Sequence, residues 1–165
     1  GDPYDRNTDV GPVVDEAAAE RIVAWIGEAV EAGAKVLTGG TRDGATVAPT
    51  LLADVPPDTK AWNEEIFGPV LAVSVVDGVD EAFRSVNDSA YGLQAGVFTT
   101  DVQLAFHASA ELEVGGVIIG DVPSYRADQM PYGGVKGSGV GREGVLAAMH
   151  DLTEERVTVF TGIDL

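Results

Sequence analysis

Apolar residues early in the chain recur at helical spacing: Ile22, Ile26, Ala29 and Val30 fall on one stripe of a segment that Asp15 can cap and Gly33 can stop. The pattern predicts a helix followed by a short strand over residues 35–37. Two more strands are predicted over residues 46–51 and 70–76, and the second is an unbroken enough apolar run to expect burial on both faces. Asp80 then opens a helix carrying Ala82, Phe83 and Val86. A strand follows over residues 93–98. Asp101 caps a helix with Leu104, Ala105, Ala108 and Leu112, and the next strand covers residues 116–119. Strand, helix and strand in that order build a parallel sheet, so the expected fold class is α/β, an open parallel sheet with flanking helices.

After Gly120 the periodicity gives way to a loop rich in Gly and Pro, then a short helix over residues 143–149 and a final strand over residues 156–161. Thr153, Glu154 and Glu155 separate that strand from the rest. A strand standing apart is an exposed edge, and exposed edges recruit partners. The expected organisation is therefore one domain over residues 1–150 and a strand and tail over residues 151–165. Pro56, Pro57 and Asp58 mark a turn, and no internal repeat or low-complexity stretch breaks the chain.

The chain has 165 residues, enough for a domain that buries about 70% of the surface its unfolded form exposes. Ten basic residues stand against 27 acidic ones, a formal charge of −17, and the only lysines are Lys35, Lys60 and Lys136. Phosphate backbones and anionic membrane surfaces repel such a chain, which argues against nucleic-acid and membrane partners. No apolar run approaches the ~18 residues of a membrane span, and a soluble, cytoplasmic protein is expected. There is no cysteine, which excludes disulfides, thiolate metal sites and any sulfur nucleophile. His107 and His150 fall in helical segments without a second histidine at ligand spacing, so no metal site is expected.

Two motifs point less far than their patterns suggest. Gly139, Gly141 and Gly144 satisfy the spacing of a dinucleotide-binding loop, but no strand delivers them to a phosphate-binding turn. Close backbone approach is the expected role of these glycines, with Arg142 pairing a local carboxylate. The triplet Asn87, Asp88, Ser89 matches a glycosylation acceptor and reads here as a helix end followed by a turn.

Other segments carry a family resemblance. Gly1-Asp2-Pro3, Thr8-Asp9-Val10-Gly11-Pro12, Glu65-Ile66-Phe67-Gly68-Pro69, Asn87-Asp88-Ser89-Ala90-Tyr91-Gly92-Leu93, Met130-Pro131-Tyr132-Gly133-Gly134-Val135-Lys136 and Ser138-Gly139-Val140-Gly141-Arg142-Glu143-Gly144 resemble the aldehyde dehydrogenase superfamily, in family order and over nearly the whole chain. The resemblance implies an incomplete half of the family's catalytic domain. Nucleophilic cysteine, general-base glutamate and adenosine-binding unit would lie upstream of the segment matching Gly1. The tail strand would be an oligomerisation arm that packs on a neighbouring subunit of a homo-oligomer.

The resemblance also implies roles for Glu65, Phe67 and Tyr132, and residue type adds Arg126. Glu65 matches the carboxylate that holds the nicotinamide ribose of NAD or NADP; two acceptor oxygens suit a diol that presents two donors. Phe67 would stand against the nicotinamide. Read from the residues alone, Glu64 and Glu65 are equally a solvated pair and Phe67 a core residue. Residues 121–132 resemble the substrate-entry loop, most like members acting on lactaldehyde, phosphonoacetaldehyde and similar small polar aldehydes, with Tyr132 lining the aldehyde tunnel. Arg126, the one basic residue of that loop, offers a fork for a carboxylate, phosphonate or sulfonate, or else an internal bridge to Asp121 or Asp128. Gly120 departs from the family, which usually carries an asparagine there to help position the loop.

The expectation is a C-terminal piece of an NAD(P)-dependent aldehyde dehydrogenase that binds but cannot itself attack, so no catalytic residue is assigned within the chain. A non-enzymatic assembly or binding module that keeps the fold is the alternative. The related reductase branch needs the same missing thiolate. The adenine-ribose reader that would choose between NAD and NADP lies outside the sequence.

Overall fold

The structure is a computed structural model in which residues 1–162 are described. The chain divides into two compact units, Gly1–Asp77 and a second beginning at Gly78. The last three residues of the expected tail, 163–165, lie outside the described residues.

Helix α1 (Glu16–Glu31) begins where the pattern requires, with the Asp15 carboxylate accepting from the Ala18 amide at 2.7 Å. Its end is a Schellman turn. Gly33 takes φ +117°, its amide donates to the Val30 carbonyl, and the Ala34 amide reaches back to the Ala29 carbonyl at 2.9 Å. Ala19, Ile22, Ile26 and Ala29 form the buried stripe. Val30, expected in that stripe, is exposed, because the face rotates toward Ala19 instead.

That stripe lies against a three-stranded sheet in the order β1 (Lys35–Thr38), β4 (Thr50–Ala53), β5 (Val70–Val73). Between β1 and β4, β2 (Arg42–Asp43) and β3 (Thr46–Val47) form a small hairpin. The single strand expected over residues 46–51 is thus two, divided at Ala48 and Pro49; proline has no amide to give a ladder. The sheet is mixed: β1 runs antiparallel to β4, and β4 parallel to β5. This corrects the all-parallel expectation. Val47, Leu52 and Val55 complete the core with Ala34, and Ile66, Val70 and Ala72 pack against it. Strand β5 is covered on one face only within this unit, since Leu71 and Val73 are exposed, and the expectation of two buried faces fails there. Helix α2 (Lys60–Asn63) is a single turn ahead of the bend at residues 64–68.

In the second unit β7 (Gln94–Val97) and β8 (Gly116–Ile119) pair in parallel across α4 (Val102–Glu111), the strand-helix-strand unit expected. Asp101 caps α4, accepting from the Gln103 amide at 2.8 Å. Helix α3 (Val79–Asn87) starts one residue before Asp80, with Asp80 and Glu81 in its first turn, where carboxylates oppose the helix dipole favourably. Phe83, Ala108 and Leu112 are its core with α4, and the His107 ring meets Phe83 edge-on at 5.3 Å. Asn87 ends α3 and ties it to the end of α4: its amide nitrogen donates to the Glu111 carbonyl at 2.7 Å, and its oxygen accepts from the Glu113 amide at 2.8 Å.

A two-residue ladder joins β6 (Tyr91–Gly92) to β9 (Val135–Lys136), and α5 (Val145–Asp151) begins two residues later than expected. Residues 156–160 form no ladder among the described residues. Val157, Val159 and Phe160 are all exposed there, so neither the expected strand nor its alternation is realised within the chain.

Candidate functional site

Glu65 and Phe67 lie in the first unit, in the bend between α2 and β5. The Glu64 amide closes α2 on the Lys60 carbonyl at 2.9 Å, and the chain then turns outward. Ile66 packs into the core under α1. Phe67 takes φ +51°, a left-handed conformation that costs a bulky residue about 1–2 kcal/mol. That reversal leaves its ring 73% exposed, which excludes a core role. Gly68 follows without room for a side chain, since a Cβ there would stand 2.5 Å from Ile22 Cδ1.

The bend is held by Arg21. Its Nη2 donates to the Ile66 carbonyl at 3.0 Å, and its Cζ lies 4.8 Å from the centroid of the Trp25 ring. Glu65 is exposed and makes no hydrogen bond or ion pair with any other described residue. Its two oxygens are therefore open to a diol, and the Phe67 ring, two residues on, is open to a flat heterocycle. The residues present fit the ribose-nicotinamide end of a dinucleotide.

Arg126 and Tyr132 lie in the second unit. Gly120 follows the end of β8 at Ile119; its φ is +81° and nothing stands within 4 Å of a notional Cβ. Glycine and asparagine both adopt that region readily, so the departure from the family keeps a backbone that either residue suits. The loop then passes over Gly96, where a Cβ would lie 2.6 Å from the Asp121 carbonyl oxygen. The Gln94 amide clasps it from below: Nε2 donates to the Pro123 carbonyl at 2.5 Å and to that of Tyr125 at 3.2 Å.

The loop brings Arg126 over Tyr132, with Cζ 4.2 Å from the ring centroid. Its ion-pair partner is Glu143 at 3.9 Å, neither Asp121 nor Asp128. Tyr132 and Glu143 are themselves paired by two backbone hydrogen bonds, 3.0 Å and 2.6 Å. Arg142 also differs from expectation. It donates to the carbonyls of Gly134 and Gly141 at 3.0 and 2.7 Å in place of a carboxylate. Of the three glycines expected to permit close backbone approach, only Gly144 does so, a Cβ there falling 3.3 Å from the Met130 oxygen; Gly139 and Gly141 meet no other backbone within 4 Å, and the tightest approach is at Gly133, where a Cβ would stand 2.6 Å from the Gly141 oxygen. A cavity of about 720 Å³ opens between the loop and α5, with Asp128 and His150 among an otherwise largely apolar lining of Pro131, Val145, Leu146 and Met149.

Arg21, Gln94 and Glu143 were not singled out from the sequence. Only Arg21 carried a local signal, a cation four residues before Trp25 on one helix.

The family model described as "Aldehyde dehydrogenase family" matches residues 1–158. The chain belongs to the aldehyde dehydrogenase family. Among curated relatives of this family it is 52% identical over 159 residues to the 3-sulfolactaldehyde dehydrogenase of Priestia megaterium, covering 96% of this chain and 33% of that protein. With the lactaldehyde dehydrogenase of Methanococcus maripaludis identity is 38% over 163 residues, covering 99% and 35%. These names agree with the lactaldehyde-like branch that the loop resembles. Aldehyde dehydrogenase 21 from Physcomitrella patens, solved in complex with the reaction product succinate, superposes with a TM-score of 0.91 at 48% identity, over 93% of this chain and 32% of that one. The glyceraldehyde-3-phosphate dehydrogenase of Methanocaldococcus jannaschii, complexed with NADP, gives 0.87 at 39%, over 92% and 33%. The chain spans about a third of the length of the relatives it matches. No helix among the described residues is long and apolar enough to cross a membrane.

Proposed function

We propose that this chain is the C-terminal portion of the catalytic domain of a cytoplasmic NAD(P)-dependent aldehyde dehydrogenase that oxidises short aldehydes with an anionic far end. The bend at residues 64–68 carries the reading: an unpaired, exposed Glu65 carboxylate and, two residues on, a Phe67 ring held out of the core at a positive φ. The cofactor, when bound, would accept hydride from the aldehyde carbon. Glu65 would hold its ribose diol, and Phe67 would limit which face of the ring meets the substrate. A thiolate from a cysteine-bearing remainder of the enzyme would supply the nucleophile that this chain lacks.

Arg126 supports the substrate class, since a guanidinium with unspent donors stacked on Tyr132 suits a carboxylate or sulfonate. Relatives whose names carry sulfolactaldehyde and sulfoacetaldehyde, and a neighbour complexed with succinate, are consistent with it. Exposed Val157, Val159 and Phe160 favour assembly of copies through residues 156–161, and would serve equally in a non-enzymatic assembly module.

The test is steady-state oxidation by the complete enzyme of 3-sulfolactaldehyde, succinic semialdehyde and lactaldehyde with NAD and with NADP. Turnover is expected, higher for the two anionic aldehydes. No turnover with any of the three would overturn the reading.

A further inference from the structure

Gln94 and Gly96 lie two residues apart on β7 and so share a face, and Gly116 stands across from Gln94 on β8. Neither glycine leaves room for a side chain: a Cβ at Gly96 would lie 2.6 Å from the Asp121 carbonyl oxygen, and one at Gly116 would lie 2.9 Å from Gln94 Oε1. The loop rests on the first glycine and the glutamine amide on the second. From there Nε2 donates to the carbonyls of Pro123 and Tyr125 at 2.5 and 3.2 Å, and Tyr125 is the residue before Arg126. Both partners are acceptors, which fixes the orientation of the amide and leaves Oε1 buried with no partner among the described residues. An apolar side chain would fill the same place without stranding an acceptor, so the amide is there for its N–H groups.

We propose that Gln94 is a positioning residue for substrate choice: by pinning residues 123–125 it sets where the Arg126 guanidinium stands over Tyr132, and with it the preference for anionic over neutral aldehydes. This rests on the reading of Arg126 as the group that receives the anionic tail. The turns on either side of Arg126 are local, with the Tyr125 amide donating to the Val122 carbonyl and the Met130 amide to that of Ala127, each at 3.1 Å. They shape the loop without tying it to the sheet. Gln94 makes that tie, from the strand across which the loop passes.

The test uses variants of the complete enzyme. Gln94→Met keeps the length of the side chain and removes the donors without adding charge. It should lower kcat/KM for succinic semialdehyde roughly tenfold more than for a neutral aldehyde of equal length, the factor that two neutral hydrogen bonds of ordinary strength carry, mainly through KM. If Gln94→Met is not recovered folded, Gln94→Asn, which withdraws the amide by one methylene, should move the ratio the same way by less. The double variant decides how the glutamine acts. Once Arg126→Met has removed the cation, replacing Gln94 should change the anionic-to-neutral ratio no further, whereas a glutamine that only stabilised the fold would lower both substrates alike in either background. Arg126→Met by itself reports on the underlying reading, and equal losses for the two aldehydes retire that reading and this proposal with it. A selective Arg126→Met beside a Gln94 variant whose ratio is unchanged, or falls further in the double variant, overturns this proposal alone.

Discussion

Arg21 Nη2 and the carbonyl of Ile66 are joined at 3.0 Å across 45 residues of sequence, and this bond connects the amphipathic helix α1 to the bend that turns Glu65 and Phe67 outward. The arginine is also stacked on Trp25. In the complete enzyme Arg21→Met should therefore loosen Glu65 and Phe67 together without touching the cofactor. A charged hydrogen bond carries about 1.5–3 kcal/mol, and partial exposure places this one at the low end, so KM for the cofactor should rise roughly tenfold with a smaller change in kcat. Unchanged cofactor kinetics would show that the bend holds itself.

Glu65→Gln keeps the shape and removes the charge. It should weaken cofactor use in the complete enzyme by about 1–3 kcal/mol, measured as kcat/KM for NAD(P) and by direct binding. If both stay at wild-type values, the ribose role belongs to another group.

The 165-residue chain alone should oxidise no aldehyde with either cofactor, because it holds no thiolate. The check is NAD(P)H absorbance in a preparation shown by mass to be free of longer enzyme. Cofactor-dependent turnover there would refute the assignment of the nucleophile elsewhere.

Residues 156–161 offer backbone groups without ladder partners and three exposed apolar side chains. They should be buried against another copy. Sedimentation of the complete enzyme with and without this segment should show a drop in oligomer order on deletion; an unchanged oligomer would assign assembly to a different surface.

What could be read from the sequence follows the range of the forces involved. The caps Asp15 and Asp101, the stop at Gly33 and the strand-helix-strand order of β7, α4 and β8 are local and came through intact. Pro49 was legible too, as a residue with no amide for a ladder, and a strand drawn across it had to break. The sidedness of β5 was not, because an apolar run records how much must be buried and not which neighbour does it. Antiparallel β1 escaped for the same reason: its partner is chosen by tertiary contact. At the sites, the family resemblance put forward Glu65, Phe67 and Tyr132, and residue type within the loop put forward Arg126. The groups that hold them, Arg21, Gln94 and Glu143, act across separations that no local pattern reports.

Phe67 sets stability and binding against each other. Its left-handed backbone costs about 1–2 kcal/mol, and its exposed ring returns little of that to the fold. Glycine would relax the backbone at an entropic cost of roughly 0.5–1 kcal/mol in the unfolded chain. Phe67→Gly should thus melt at or slightly above the wild-type temperature while cofactor affinity falls. Most damaging substitutions lose both quantities at once; at this position, under the proposed cofactor role, the ring is a burden on the folded protein that a bound dinucleotide would relieve, and selection for thermostability alone would discard it.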